Sequence, residues 1–327
     1  MNKTFKRVML YTSLLSFVTY SGYNLTNNIS TETVCHVDLN DIEHIERFRK
    51  QVVAHRGLSS IEVENSYRAV KAAFDSDAID TVEVDIQLTE DGHVVLFHDE
   101  TLNKLTNGNG KVKNKTLKEV KSLDYYDRHV SHYVEAFTRF DSQRRKDLLE
   151  LGKITKIATL NEILSIDTDK TLLIDIKFDE DNSDELINAL AKTIKSYRGE
   201  MKFIFQSADA KNLKALREIL PGYDYQILIS SKKDYEEYFN DFDHLSIKHS
   251  VLNQDMVDNI FNNGKALSVW TIAEEKDYNR VFDLTSQYYD EVTYITDYPE
   301  CLCYWLSKDI KTIEASHKKM VLKKGNN

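Results

Sequence analysis

The sequence predicts an α/β chain folded as a (β/α)8 TIM barrel, with a small insertion after the second strand and an N-terminal hydrophobic segment. Three observations carry that expectation. Short runs rich in β-branched residues recur eight times, helix-patterned segments separate them, and polar residues gather where the runs end.

The runs are QVVA at 51–54, TVEVDI at 81–86, TLLIDI at 171–176 and KFIF at 202–205, then DYQILI at 224–229, HLSI at 244–247, ALSVW at 266–270 and VTYIT at 292–296. Between them, segments such as ENSYRAVKAAFDS, SDELINALAKTIKSY and LNQDMVDNIFNN space apolar residues by three and four, as helices lying on a sheet do. A doubly wound open sheet satisfies the same count, but it would scatter the polar strand ends that a barrel brings to one mouth. The stretch 92–158 is longer than one connecting helix needs. It contains the strand-like HVVLF and the turn NGNG, and is expected to sit over the barrel mouth, where βα loops build function.

The organisation follows. Residues 1–25 pair Lys3, Lys6 and Arg7 with an uncharged apolar run, the pattern of a signal peptide or signal anchor. Residues 26–45 are polar and aperiodic and read as a tether, 46–310 as the barrel, and 311–327 as a basic C-terminal tail. Positive charge ahead of the apolar run places the barrel outside the membrane, either anchored through that segment or secreted.

Composition narrows the function classes. With 41% hydrophobic and 29% charged residues, ten glycines and two prolines, the chain is globular rather than disordered or fibrous. A formal charge of −10 without a basic block in the body gives no electrostatic footprint for nucleic acid. Cys35, Cys301 and Cys303 do not make a disulfide framework, since the last two are one residue apart. A monomer is the expected form.

The chemistry lies at the strand ends. Glu83 and Asp85 are two apart on one strand, so their carboxylates face one side while Val82 and Val84 face the other. Two inward acids are costly without a cation. Asp175 ends the third strand and adds another hard oxygen donor, with no cysteine near, a set that suits one divalent cation, Ca2+ or Mg2+. His55 and His98 each follow an apolar run and adjoin a charged residue, Arg56 and Asp99. A single histidine so placed is commonly structural. Two beside a carboxylate cluster are candidates for general acid and base, because cleaving a phosphodiester needs one proton taken and another given. Arg56 offers a planar fork for phosphate oxygens and Lys177 a point charge, although each alone equally suits a surface ion pair. Gln206 follows the fourth strand, and Trp270, at the seventh, suits core packing or a platform for a head group.

The runs VVAHRGLSSIEVENS, VEVDIQLTEDGHVVLFHDETLNKLTNGNGKV, ATLNEIL, LLIDIK, FIFQSAD, VWTI and YITDYP, in this order, resemble the signatures of the glycerophosphodiester phosphodiesterase family. The resemblance implies a TIM barrel and a divalent ion held at Glu83 and Asp85. It implies a histidine pair at His55 and His98, phosphate contacts at Arg56 and Lys177, and supporting residues at Glu64 and Asn65. The implied reaction is hydrolysis of a small-molecule or lipid-derived phosphodiester to glycerol 3-phosphate and an alcohol. Two positions depart from the family pattern: Asp175 stands where a glutamate is usual, and Ala208 where a phenylalanine is common. Two further readings stay open, a lysophospholipase D-like or cyclising phosphodiesterase and an inactive barrel that binds phosphodiester ligands at the cell surface.

Overall fold

A computed structural model describes residues 48–126 and 153–324. The expected membrane segment at 1–25 and the tether at 26–45 lie outside these residues. No helix among the described residues is long and apolar enough to cross a membrane.

Eight parallel strands close into a barrel: β1 (Val52–Ala54), β2 (Thr81–Leu88), β6 (Thr171–Ile176), β7 (Lys202–Ser207), β8 (Asp224–Ile229), β9 (His244–Lys248), β10 (Ala266–Ile272) and β11 (Val292–Thr296). Each pairs with the next, and β1 seals the ring by pairing with both β11 and β2. The open-sheet alternative is thereby excluded. Several strands outrun their apolar stretches: β7 includes Gln206 and Ser207, and β9 includes Lys248. These polar extensions carry side chains into the mouth.

The outward faces of the strands, such as Val82 and Val84, are fully buried beneath the surrounding helices. The closed interior holds Val53, Leu173 and Ile295, with Ile204 and Trp270 packed on them. Helix starts are set by side-chain caps, each contributing about 1 kcal/mol. Ser66 accepts from the Ala69 amide at the head of Tyr67–Phe74, and Asp209 from the Asn212 amide at the head of Ala210–Ile219.

The insertion has its own small core. Strand β3 (Val94–Leu96) runs antiparallel to the end of β2, and β4 (Tyr125–Tyr126) pairs antiparallel with β5 (Ile154–Thr155). Phe97, Leu102, Leu105, Val112, Val120 and Tyr125 are buried together there. The Asn107–Gly110 stretch forms loop structure, as expected, with the Gly110 amide donating to Asn103 Oδ1 at 2.9 Å. At the C-terminal end the helix Pro299–Lys324 runs across position 310, and Cys301 and Cys303 lie buried on it outside any disulfide, as the sequence leads one to expect.

Candidate metal centre and active site

Parallel register brings the acids together. Asp85 on β2 is the direct partner of Asp175 on β6, and Asp175 in turn is the partner of Gln206 on β7. Glu83, Asp85 and Asp175 are all buried and each offers a carboxylate oxygen within 4.8 Å of the other two. Glu83 is pushed well above the usual carboxylate range by burial and by the charges of Asp85 and Asp175. Asp175 is also raised by its burial, against the pull of Lys177. Asp85 is buried too, but Lys177 and Arg56 outweigh that and hold it below the usual range. Burial and mutual repulsion raise acids so placed, and Asp85 alone is brought down, by the cations that face it, because the group cannot ionise fully without added positive charge.

Two cations of the protein supply part of that charge. Lys177 Nζ lies 2.6 Å from Asp175 Oδ2 and 2.9 Å from Asp85 Oδ1, and Arg56 Nε lies 3.2 Å from Asp85 Oδ2. Because Arg56 is also paired with the buried Glu64, these two cations do not balance the carboxylates around them and a negative excess remains. Asp175 Oδ1 is buried with no hydrogen-bond partner, and Asp85 Oδ1 has only its ion pair with Lys177. Hard oxygen donors, a residual negative charge and an orphaned buried carboxylate oxygen all fit a divalent cation of the Ca2+ or Mg2+ type.

The loop after β1 is shaped to serve this cluster. Arg56 and Asn65 both adopt positive φ, 59° and 53°, a region that costs non-glycine residues energy and recurs at functional sites. The conformation aims the Arg56 amide at Glu83 Oε2, 2.7 Å away. Asn65 clasps Asp85 twice: its Nδ2 donates to Oδ2 at 2.7 Å and its Oδ1 accepts from the backbone amide at 2.9 Å. Gly57 must be glycine, since a Cβ there would lie 2.6 Å from the Ala69 carbonyl carbon and φ is 81°. Glu64 Oε1 accepts from Arg56 Nη1 at 2.7 Å and fixes the guanidinium.

Both histidines reach the mouth and both are held by a carboxylate. His55 Nδ1 donates to Asp297 Oδ1 at 2.6 Å, and His98 Nδ1 donates to Asp99 Oδ1 at 2.9 Å. An acceptor at Nδ1 leaves Nε2 of each ring for substrate, as a lone pair when the ring is neutral and as a donor when it is charged. Both imidazoles lie near enough to Asp85 to pull its proton affinity down. The partner of His55 is therefore Asp297, 242 residues away, rather than the adjacent Arg56. Asp297 is the site residue that sequence reasoning passed over, and its only signal was its place at the end of the eighth strand.

The remaining expected residues fall around this centre. Gln206 is buried beside Asp175. Trp270 is half-buried, lies against the interior core and donates Nε1–H to the Ser246 carbonyl at 2.8 Å, so it packs as core while keeping one part exposed. A hollow of about 290 Å3 opens beside His98, Asp175 and Lys177. A larger depression of about 490 Å3 lies on the outer helices around Lys192 and Arg198, away from these groups.

Carboxylates poised for a cation, cationic donors beside them and two oriented imidazoles at the mouth of a barrel define a hydrolase that works on a phosphoryl centre. Residues 55–297 match the sequence profile of the glycerophosphoryl diester phosphodiesterase family. The chain belongs to that family. It is 29% identical over 246 residues to the glycerophosphodiester phosphodiesterase of Caldanaerobacter subterraneus, covering 70% of this chain and 88% of that one. It is 28% identical over 244 residues to the Bacillus subtilis enzyme of the same name, covering 71% and 79%. A phosphodiesterase of Oleispira antarctica, solved with the product sn-glycerol-3-phosphate, superposes with a TM-score of 0.64 at 22% identity, covering 80% of this chain and 98% of that one. The Thermotoga maritima glycerophosphodiester phosphodiesterase gives a TM-score of 0.53 at 25% identity, covering 77% and 96%.

Proposed function

We propose that the protein hydrolyses glycerophosphodiesters, using water to release glycerol 3-phosphate and an alcohol. The observation that carries this reading is the meeting of Glu83, Asp85 and Asp175 within 4.8 Å at the mouth that also receives both histidines. Glu83, Asp85 and Asp175 are the residues to hold one Ca2+ or Mg2+ ion. Such an ion, when bound, polarises the phosphoryl group and offsets its negative charge.

The rest falls to side chains of the chain. Arg56, anchored by Glu64, presents its guanidinium to a phosphate oxygen, and Lys177 adds a second positive charge beside it. His55 and His98 share the proton transfers: one imidazole, neutral, accepts a proton from the attacking water through Nε2, and the other, as imidazolium, donates its Nε2 proton to the leaving alkoxide. A new P–O bond forms to the water oxygen, whose second proton stays on the phosphate, as the bond to the alcohol breaks, and proton exchange with solvent resets the two rings. The Asp297 and Asp99 carboxylates stabilise each ring in its charged form.

The purified protein should turn over glycerophosphocholine, lose activity in chelator and regain it with Ca2+ or Mg2+. Absence of turnover with either ion would favour a ligand-binding barrel instead. Phosphorus NMR of early products separates hydrolysis from cyclisation, since a persistent cyclic phosphate without glycerol 3-phosphate marks the latter. The charged N-terminus and the apolar run that follows it support a location outside the membrane, anchored or secreted. Protease accessibility of the barrel on intact cells tests that location.

A further inference from the structure

The hollow of about 290 Å3 is lined both by reacting groups, His98, Asp175 and Lys177, and by residues of the insertion and of the loop after β6, Lys111, Lys113, Asp179 and Asn182. A diester held at its phosphorus beside His98 therefore extends one of its two alcohol arms into this space.

The outer wall is an ion-pair ladder joining the two segments. Lys111 Nζ lies 2.6 Å from Glu100 and 3.5 Å from Asp179. Lys113 Nζ lies 2.7 Å from Asp179 and also pairs with Asp181. Asp179 is thus shared by both lysines, and the hydrogen bond from Lys113, helped by the charge of both, holds it below the usual carboxylate range. Three carboxylates against two ammonium groups leave the ladder with one net negative charge. Asn182, at the head of the helix Ser183–Ser196, makes no capping bond with its side chain, so its amide can meet a hydroxyl. Ala208, at the position where the family commonly has phenylalanine, also lines the hollow.

We propose that this hollow receives the leaving alcohol, and that Asp179, by engaging Lys111 and Lys113, makes it prefer an uncharged or cationic alcohol over an anionic one. The inference rests on the diester hydrolysis proposed above. An arriving anion meets a wall whose lysines are already neutralised, and must draw one away from its carboxylates to be held. A choline or glycerol group fits without disturbing the ladder. Because these pairs are partly exposed, the discrimination is modest and weakens in salt.

The test compares kcat/KM of the metal-loaded full chain on two diesters, one whose leaving alcohol is glycerol and one whose leaving alcohol is glycerol phosphate. Asp179→Asn removes the carboxylate both lysines share, leaving Lys111 to Glu100 and Lys113 to Asp181 and the ladder without net charge, and should raise the phosphate-bearing substrate relative to the neutral one by up to about fivefold. Lys111→Gln with Lys113→Gln should shift the same ratio the opposite way. A merely structural wall would move both substrates alike and leave the ratio fixed. If both variants remain active with the wild-type ratio, the proposal is wrong. Should Asp179→Asn not fold, the lysine pair carries the test, with an unmoved ratio again counting against it. If the wild type cleaves neither diester with either ion, the hydrolytic reading itself has failed and this inference with it.

Discussion

The barrel carries a polar cluster at each end. At the N-terminal end, His244 opens β9 with Nδ1 donating to Asp224 Oδ2 at 2.9 Å, and its Nε2 accepts from Ser268 Oγ at 2.8 Å. Both ring nitrogens are satisfied, and among the described residues the backbone dihedrals that fall at positive φ outside glycine belong to Arg56 and Asn65, at the other end. At the C-terminal mouth, three acids crowd one another, a buried carboxylate oxygen lacks a partner and the chain is held in an unfavourable conformation. Both clusters combine carboxylate and imidazole. What separates a site from a brace is the unbalanced charge and backbone strain that the surrounding fold sustains.

The contrast is broken most forcefully at the histidines. His55→Ala or His98→Ala should lower kcat by about 10²–10⁴ while the thermal midpoint stays near that of the wild type. Near-normal rates for either variant would remove it from the proton transfers. Glu83→Gln comes next: it should abolish metal-stimulated activity yet leave the chelated protein at least as stable, because it replaces a buried acid that its surroundings already hold back from ionising with a neutral side chain of the same shape. A large loss of stability in chelator would mark Glu83 as scaffold.

Asp175→Glu sharpens the picture of the mouth. The longer acid should keep or raise metal affinity, read by titration calorimetry, and a large loss would mean that the pocket has been rebuilt around the shorter side chain. The smallest effect on catalysis belongs to the base. His244→Ala should cost about 1–3 kcal/mol of stability by leaving the buried Ser268 hydroxyl unpaired, with kcat/KM unchanged. Its pH dependence has a definite sign. Asp224 resists burial through its bond to His244 and is held below the usual carboxylate range. Its contribution is therefore present above the unfolded-state value and is lost as pH falls through the depressed folded value. Denaturant melts in acid should show the wild type and His244→Ala converging.

Much of this was readable along the chain. Alternation with period two placed Glu83 and Asp85 on one face, and the apolar runs located all eight strands. The reading stopped short at Gln206, Ser207 and Lys248 because the strand pattern was traced by apolar residues, whereas the mouth continues each strand with polar ones. Asp297 was assigned no role because His55 has a charged neighbour, Arg56, and local adjacency suggested the wrong partner.

The amino-acid sequence by itself determined which side chains face inward and which strand ends are polar, because both depend on neighbours two to four residues apart. Tertiary structure alone decided that Asp85 stands beside Asp175, that Asp297 orients His55, that Arg56 turns its amide to Glu83 and that the insertion walls a hollow next to His98. Those contacts join residues distant in sequence. They exist only once the ring of strands has closed, since closure fixes which strand ends become neighbours.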